Sequence, residues 1–364
     1  MFIKKCIQIL LLLFSLNAFA TEKTVFLTGS CGFIGSNFLV HMFNKYPDYH
    51  FIVLDALTYA GSMDNIPASI QTSDRFEFVH DSVVNFPLVN ELMARSDYVV
   101  HFAAETHVSR SIVDDFPFFE TDVLGTRALL MALVKNHQTV ERFIHISTSE
   151  VYGTAECEPM DEKHLLNPRS PYAAAKAAAD RLVYAYNCTY DIPAVIIRPF
   201  NNYGPRQHLE KMIPRFITSA MKGEPLTIHG NGLQKRDWVY VEDLCLALDQ
   251  VIHLKDFSKI KNQEINIGSG KATSVLEIAQ MICRHFDLRE NHLKFIDERP
   301  GQVECHIAGI QKAKKLLHWN PTTDLETGLK KTIQWYLENP LFCKKLENQA
   351  LVPIEIKGGS IENY

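Results

Sequence analysis

Tyr172 and Lys176 stand four residues apart in SPYAAAKAAADRL, and Thr148, Ser149 and Glu150 directly follow the apolar run RFIHIS. Four residues is about one helical turn, so a helix over 170–190 puts the phenol and the amine on one face. In isolation such a pair reads as a packed phenol and a solvated amine. Beside a bound dinucleotide it reads as acid–base chemistry. Lys176 can hold a nicotinamide ribose and, as a nearby cation, lower the Tyr172 pKa from its usual value of about 10. The phenolate would then remove a hydroxyl proton from a sugar as hydride leaves the carbon for nicotinamide, with Thr148 bonded to the same oxygen.

That chemistry needs a dinucleotide, and residues 24–43, TVFLTGSCGFIGSNFLVHMF, have the pattern that holds one. A β-branched and aromatic strand leads into Gly29, Gly32 and Gly35, and an apolar helical pattern starts at Phe33 and Ile34. Strand, glycine turn and helix aim backbone N–H groups and a helix dipole at a pyrophosphate. The spacing predicts a tight turn at Gly29, close phosphate approach at Gly32 and close helix packing at Gly35. A second strand, HFIVLDAL, brings Asp55 to the ribose hydroxyls about 20 residues on, where a carboxylate repels a 2′-phosphate and so favours NAD over NADP. Asp81 and Ser82, ending RFEFVHD, either reach the adenine or cap the next helix. Ala103 and Ala104 end DYVVHFAA and leave room for a flat ring or a phosphate.

Strands alternate with helical segments as far as residue 200, among them 118–137 with its apolar face of Val123, Leu124, Leu129, Leu130 and Leu133. This rhythm predicts an α/β fold with a doubly wound parallel sheet, an NAD-binding Rossmann domain over 21–200. Shorter elements over 201–340 predict a smaller, interleaved C-terminal substrate domain, with part of 230–265 returning to the sheet and a tail over 341–364. Arg206, Lys211, Arg215, Arg236 and Arg299 concentrate cations there, as a diphosphate requires; Arg236 and Arg299 are the favoured ligand contacts.

A net charge of −5 gives no electrostatic footprint for nucleic acid. Eight cysteines without a CxxC pair read as reduced thiols, neither a disulfide frame nor a metal site. Residues 1–20 have the parts of a secretory signal: Lys4 and Lys5, an apolar stretch from Ile7 to Leu16, then Ala18-Phe19-Ala20. They are short for a membrane span. The leader marks either export or an unused extension on a cytoplasmic enzyme; the supply of NAD and nucleotide-bound substrates favours the second. Asn187-Cys188-Thr189 fits a glycosylation acceptor on a segment that reads as helix.

The blocks LDALTYAG, AAETHVSRSI, SPYAAAK, NNYGPRQHLEKMIP, RDWVYVEDL and ERPGQ carry a family resemblance from about residue 24 to 338. The chain resembles extended short-chain dehydrogenase/reductases, most closely the nucleotide-sugar 4,6-dehydratases of the dTDP-glucose type. The resemblance implies a retained NAD that oxidises the sugar C4 hydroxyl through Tyr172, loss of water across C5 and C6, and hydride return to C6. Glu150 maps onto the base that removes the C5 proton. Asn201 maps onto a ligand-contacting Asn and Arg236 onto a diphosphate-binding Arg, with Lys211, Asn266 and Arg299 joining the substrate residues. A homodimer through helices 118–137 and 170–190 is implied as well.

The chain also departs from the family. Ser149 stands where the family has an Asp that protonates the leaving hydroxyl, and Thr-Ser-Glu is instead similar to UDP-glucuronate decarboxylases. Asp122 replaces an Asn, Ser109 an Asp and Gln302 a His. The expectation is that dehydration survives but is slower, with Glu150 returning its proton to the leaving group and Ser149 orienting that group or a water. The alternatives are decarboxylation, C4 epimerisation, or a protein that binds NAD or a nucleotide sugar without turnover.

Overall fold

A computed structural model describes residues 22–297 and 304–347, together with two short strands at Pro353–Glu355 and Ile361–Asn363. The signal-like leader, Arg299 and Gln302 lie outside the described residues. The central sheet has seven strands: β1 (Lys23–Thr28), β2 (Tyr49–Asp55), β3 (Phe76–His80), β4 (Tyr98–His101), β5 (Arg142–Ile146), β6 (Ala194–Pro199) and β7 (Glu264–Ile267). Their spatial order is β3-β2-β1-β4-β5-β6-β7, with every pairing parallel. Strand runs such as FIVL and YVV are apolar throughout because helices cover both faces. Alternate side chains serve two cores. Val25, Val53, Val100 and Ile144 pack on one face with Phe38 and Leu39. Phe26, Val99, Phe143 and Ile196 pack on the other with Leu129, Leu133 and Val183.

The strand order reverses between β1 and β4, which opens a crevice at the carboxyl ends of the strands. Helix α1 (Phe33–Lys45) follows β1 into that crevice. The helical segment expected over 118–137 is a relay of Phe116–Phe118, a π-helical turn at Phe119–Gly125 and helix α2 (Thr126–Lys135). Helix α3 (Pro171–Tyr190) starts as its sequence predicts: Ser170 Oγ accepts the Ala173 N–H at 3.1 Å, and proline stands at the first helical position. Asn187 is buried within α3, so the glycosylation triplet presents no acceptor at the surface.

Beyond β6 the elements are short. A small sheet joins Asn201–Tyr203, Lys235–Tyr240, Ala272–Ser274 and Cys305–His306, and a two-stranded pair joins Leu226–His229 to Leu293–Ile296. They share a third core with the helices Met212–Lys222, Val275–His285 and Leu325–Glu338, through Phe216, Ile282 and Ile333 among others. Helix α4 (Val241–Ile252) and β7 return to the large sheet, with Leu244 and Leu248 in its core. Among the described residues no helix is long and apolar enough to cross a membrane.

Candidate active site

A cavity of about 470 Å³ occupies the crevice and reaches from the glycine turn to the small sheet. At its first end Gly29 takes φ +71°, and a Cβ there would lie 2.5 Å from the Ala103 backbone. Only glycine satisfies both demands. Gly32 precedes α1 with no side-chain cap, so the first-turn N–H groups are left to whatever the cavity holds. At Gly35 a Cβ would press into Ser30, which is the close helix packing read from the sequence. Asp55 closes β2 and accepts the Cys31 N–H at 2.8 Å and the Leu57 N–H at 2.9 Å. Burial raises its pKa, and those two N–H groups act the other way. Phe33, Ile34, Ala103, Ala104 and Ser82 also line the wall. Asp81 does not: its carboxylate takes the Ser82 N–H at 2.6 Å and the Asn85 amide at 2.8 Å. These are local turn bonds and not a helix cap, because Phe86–Ala94 starts after Asn85 without a side-chain cap.

The middle of the cavity carries the acid–base groups. Tyr172 and Lys176 line it from one buried face of α3, as their spacing predicts. Thr148 Oγ1 accepts the Glu150 N–H at 3.2 Å and starts the tight turn Ser149–Tyr152, which brings Glu150 to the wall. The expected lowering of the Tyr172 pKa is not what this arrangement produces. Burial raises it, the Asp122 and Glu150 carboxylates add to the rise, and only a hydrogen bond with Thr148 opposes them. Lys176 spends one N–H on the Ile146 carbonyl at 2.8 Å. Burial lowers its pKa while the Asp122 and Asp180 carboxylates hold it up. The physical reason is packing. Phe118 and Val123 seat against Tyr172 and exclude water, and the ammonium answers carboxylates rather than the phenol.

Two more expectations are corrected. Ser149 is buried and does not line the cavity, so the structure lends no support to its orienting a leaving hydroxyl. Asn266 is fully buried inside a structural network. Its Oδ1 accepts the Tyr152 hydroxyl at 2.7 Å, its amide donates to the Met160 carbonyl at 3.1 Å, and Tyr152 in turn accepts from Arg198 at 3.0 Å. Arg206 bonds Asn37 Oδ1 at 2.9 Å and lies over the Trp335 ring, and neither it nor Arg215 lines the cavity.

Asn201, Lys211 and Arg236 do line it, at the end nearest the small sheet. Four buried polar atoms in this region have no partner among the described residues: Asn201 Oδ1, Asn202 Oδ1, Gln207 Oε1 and His208 Nε2. Leaving a buried polar atom unpaired costs about 1–3 kcal/mol, so four in one wall mark a surface built for a polar ligand. Glu210, which the sequence reading passed over, ties three segments together. It accepts from the Tyr59 hydroxyl at 3.1 Å and from Arg110 at 3.3 Å, while Lys211 reaches the Thr106 carbonyl at 2.9 Å. The signal for these residues lay in the LTYAG, AAETHVSRS and RQHLEK blocks, whose letters do not announce mutual contact.

A dinucleotide cradle, a Tyr–Lys pair and a polar sugar-sized compartment thus share one cavity. The family model described as GDP-mannose 4,6 dehydratase matches residues 26–332. The chain belongs to the nucleotide-sugar 4,6-dehydratase family of extended short-chain dehydrogenase/reductases. The enzyme is 42% identical over 313 residues to the low-salt glycan biosynthesis protein Agl12 of Haloferax volcanii, covering 86% of this chain and 98% of that protein. It is 39% identical over 326 residues to RHM1 of Arabidopsis thaliana, a trifunctional UDP-glucose 4,6-dehydratase, UDP-4-keto-6-deoxy-D-glucose 3,5-epimerase and UDP-4-keto-L-rhamnose-reductase. That match covers 88% of this chain and 48% of RHM1. Among solved structures, DesIV, the dTDP-glucose 4,6-dehydratase of Streptomyces venezuelae with NAD and TYD bound, superposes with a TM-score of 0.84 at 35% identity. This superposition covers 89% of the enzyme and 99% of DesIV. NAD is the cofactor of the enzyme. The residues fit it: the Gly29 turn that a Cβ would fill, the uncapped start of α1 and Asp55 all face one cavity.

Proposed function

We propose that the enzyme converts an NDP-hexose to an NDP-4-keto-6-deoxyhexose, with the hexose against Tyr172 and Glu150 and the diphosphate between Lys211 and Arg236. The observation that carries this reading is the order of groups along one cavity: cradle, Tyr172 with Thr148 and Glu150, then the unpaired amide oxygens and the two cations. Bound NAD supplies the hydride acceptor for C4 and the donor for C6. Gly29, the start of α1 and Asp55 hold its pyrophosphate and ribose, and Lys176 has further N–H donors for the second ribose. Tyr172 takes the C4 hydroxyl proton, with Thr148 bonded to the same oxygen. A 4-keto group acidifies the C5 hydrogen, so a carboxylate at the wall, Glu150, is enough to remove it. With Ser149 out of the wall, Glu150 is the group that hands this proton to the departing C6 hydroxyl. Using one residue for both transfers sacrifices part of the roughly 10²–10⁴ that a dedicated acid contributes.

Incubation of the purified protein with dTDP-glucose, UDP-glucose and UDP-glucuronate tests the reaction. The expected product has lost one water and carries a 4-keto group. Carbon dioxide from UDP-glucuronate, with no dehydration of the other two, would overturn the reading in favour of decarboxylation.

We extend the proposal to a homodimer formed through the 116–135 relay and α3. These helices expose Phe116 (67%), Phe119 (40%), Leu124 (53%), Tyr184 (44%) and Tyr190 (53%), an apolar surface of the kind buried between subunits. Sedimentation as a monomer at micromolar concentration would contradict it. We also propose the division into a cofactor domain over 21–200 and a substrate domain drawn mainly from 201–340. A cytoplasmic location, finally, accords with seven described cysteines that are all free thiols. Recovery of the native protein with the leader removed and the chain exported would refute that placement.

A further inference from the structure

The mechanism above leaves Asp122, a buried carboxyl packed beside α3, without a task. Asp122 sits on the π-helical turn Phe119–Gly125, a helical form that occurs often at functional sites, and is 1% exposed. One carboxylate oxygen, Oδ1, accepts the Glu105 N–H at 2.9 Å. The other, Oδ2, is buried and has no hydrogen-bond partner among the described residues. The turn packs directly against α3, and across that contact the Asp122 carboxylate acts on both Lys176 and Tyr172. Packing alone does not account for the group. An amide of the same shape would keep the Glu105 bond and avoid burying a charge.

We propose that Asp122 is a positioning residue whose carboxylate serves as the counter-charge for Lys176 and so sets the pH at which Tyr172 begins to act as a base. The inference rests on the dehydratase reading for its substrate and on the geometry of α3 for its substance. The groups around the pair are few. Lys176 and Tyr172 face Asp122 from α3, Glu105 faces it from the loop after β4, Asp180 faces Lys176 from the next turn of α3, and Glu150 faces Tyr172 from the turn after β5. His101 and His145 lie beneath, both held neutral by burial. Burial pushes the Asp122 carboxyl up to about 7, against the pull of Lys176, so its charge changes within the working range of an enzyme.

The sign follows from net charge. With Asp122 ionised, Asp122 and Lys176 cancel, and ionising Tyr172 leaves the buried group negative. With an amide in place of Asp122, ionising Tyr172 brings the same group to neutrality. Removing the carboxylate therefore makes proton loss easier. Asp122→Asn is expected to move the acidic limb of the pH–rate profile down by about one to two pH units, the size of a close charge interaction. The rate to follow is single-turnover formation of the reduced-nicotinamide band on mixing with dTDP-glucose or UDP-glucose. A structural role alone would scale the rate at every pH and leave the limb in place. A limb that stays, or moves up, overturns the inference. A second measurement needs no turnover. The tyrosinate ultraviolet band of each protein, taken as the difference from its Tyr172→Phe counterpart, reports the ionisation of Tyr172 directly. It should appear at lower pH in the Asn variant, and coincident titrations would also overturn the inference. Absence of any nicotinamide signal in the wild type would instead count against the substrate reading, and the tyrosinate titration still decides the role of Asp122.

Discussion

The two ends of the cavity are built on opposite plans. At the cofactor end what is left open is main chain: both Asp55 oxygens already hold backbone N–H groups, while the first-turn N–H groups of α1 have no side-chain cap. At the substrate end Asn201, Asn202, Gln207 and His208 each present a buried atom with no partner among the described residues. The first end is a backbone mould, the second a set of side chains held in wait. The difference teaches where each specificity resides. On the proposed reading, a dinucleotide common to many enzymes is gripped by main chain that few substitutions reach, whereas a particular sugar nucleotide is read by side chains that can change one at a time.

Substitutions that separate chemistry, cradle and substrate wall would sharpen or break that contrast. Tyr172→Phe removes the proton acceptor between the two ends. Turnover is expected to fall roughly 10²–10⁴-fold with bound NAD unchanged, as read by steady-state kinetics and by nucleotide content after denaturation. An equal loss of NAD would mean that the phenol belongs to the cradle instead. Gly29→Ala attacks the mould. It imposes a left-handed backbone on alanine, at roughly 1–3 kcal/mol, and drives a methyl into Ala103, so the purified variant should lose NAD and melt earlier. Full NAD occupancy in that variant would refute the backbone account. Asn201→Ala should act least. It removes an atom that no described residue bonds, so melting temperature and NAD content stay the same. KM for the sugar nucleotide rises about fivefold, the worth of one hydrogen bond near 1 kcal/mol. A variant that is destabilised but binds normally would show that Asn201 supports the fold.

Much of the cradle was legible because its requirements are local. A glycine at a turn, a serine before proline at the start of α3 and a four-residue spacing on a helix each express a constraint within one turn of chain. Asp55 was legible for a related reason, since the length of one βαβ unit sets where the next strand ends. The misreadings share a cause. Ser149 and Asn266 are polar residues in suggestive places, but whether a short polar side chain faces a cavity or a neighbouring backbone depends on partners that the one-dimensional pattern does not reveal. Asn266 is taken up by Tyr152 and Met160, more than 100 residues away. Glu210 was missed for the converse reason, because its partners Tyr59 and Arg110 come from segments joined only when the chain closes.

By itself, then, the order of residues determined the doubly wound sheet, the dinucleotide turn, the place of Asp55 at the end of β2 and the shared face of Tyr172 and Lys176. All of these follow from periodicity and steric limits acting over short stretches. Only the tertiary structure decided which way the Tyr172 proton leans, which oxygens were left for a ligand, and that a buried carboxylate at position 122 stands over the Tyr–Lys pair. Those properties belong to a dielectric and a charge field, and no segment generates either until the others have packed around it.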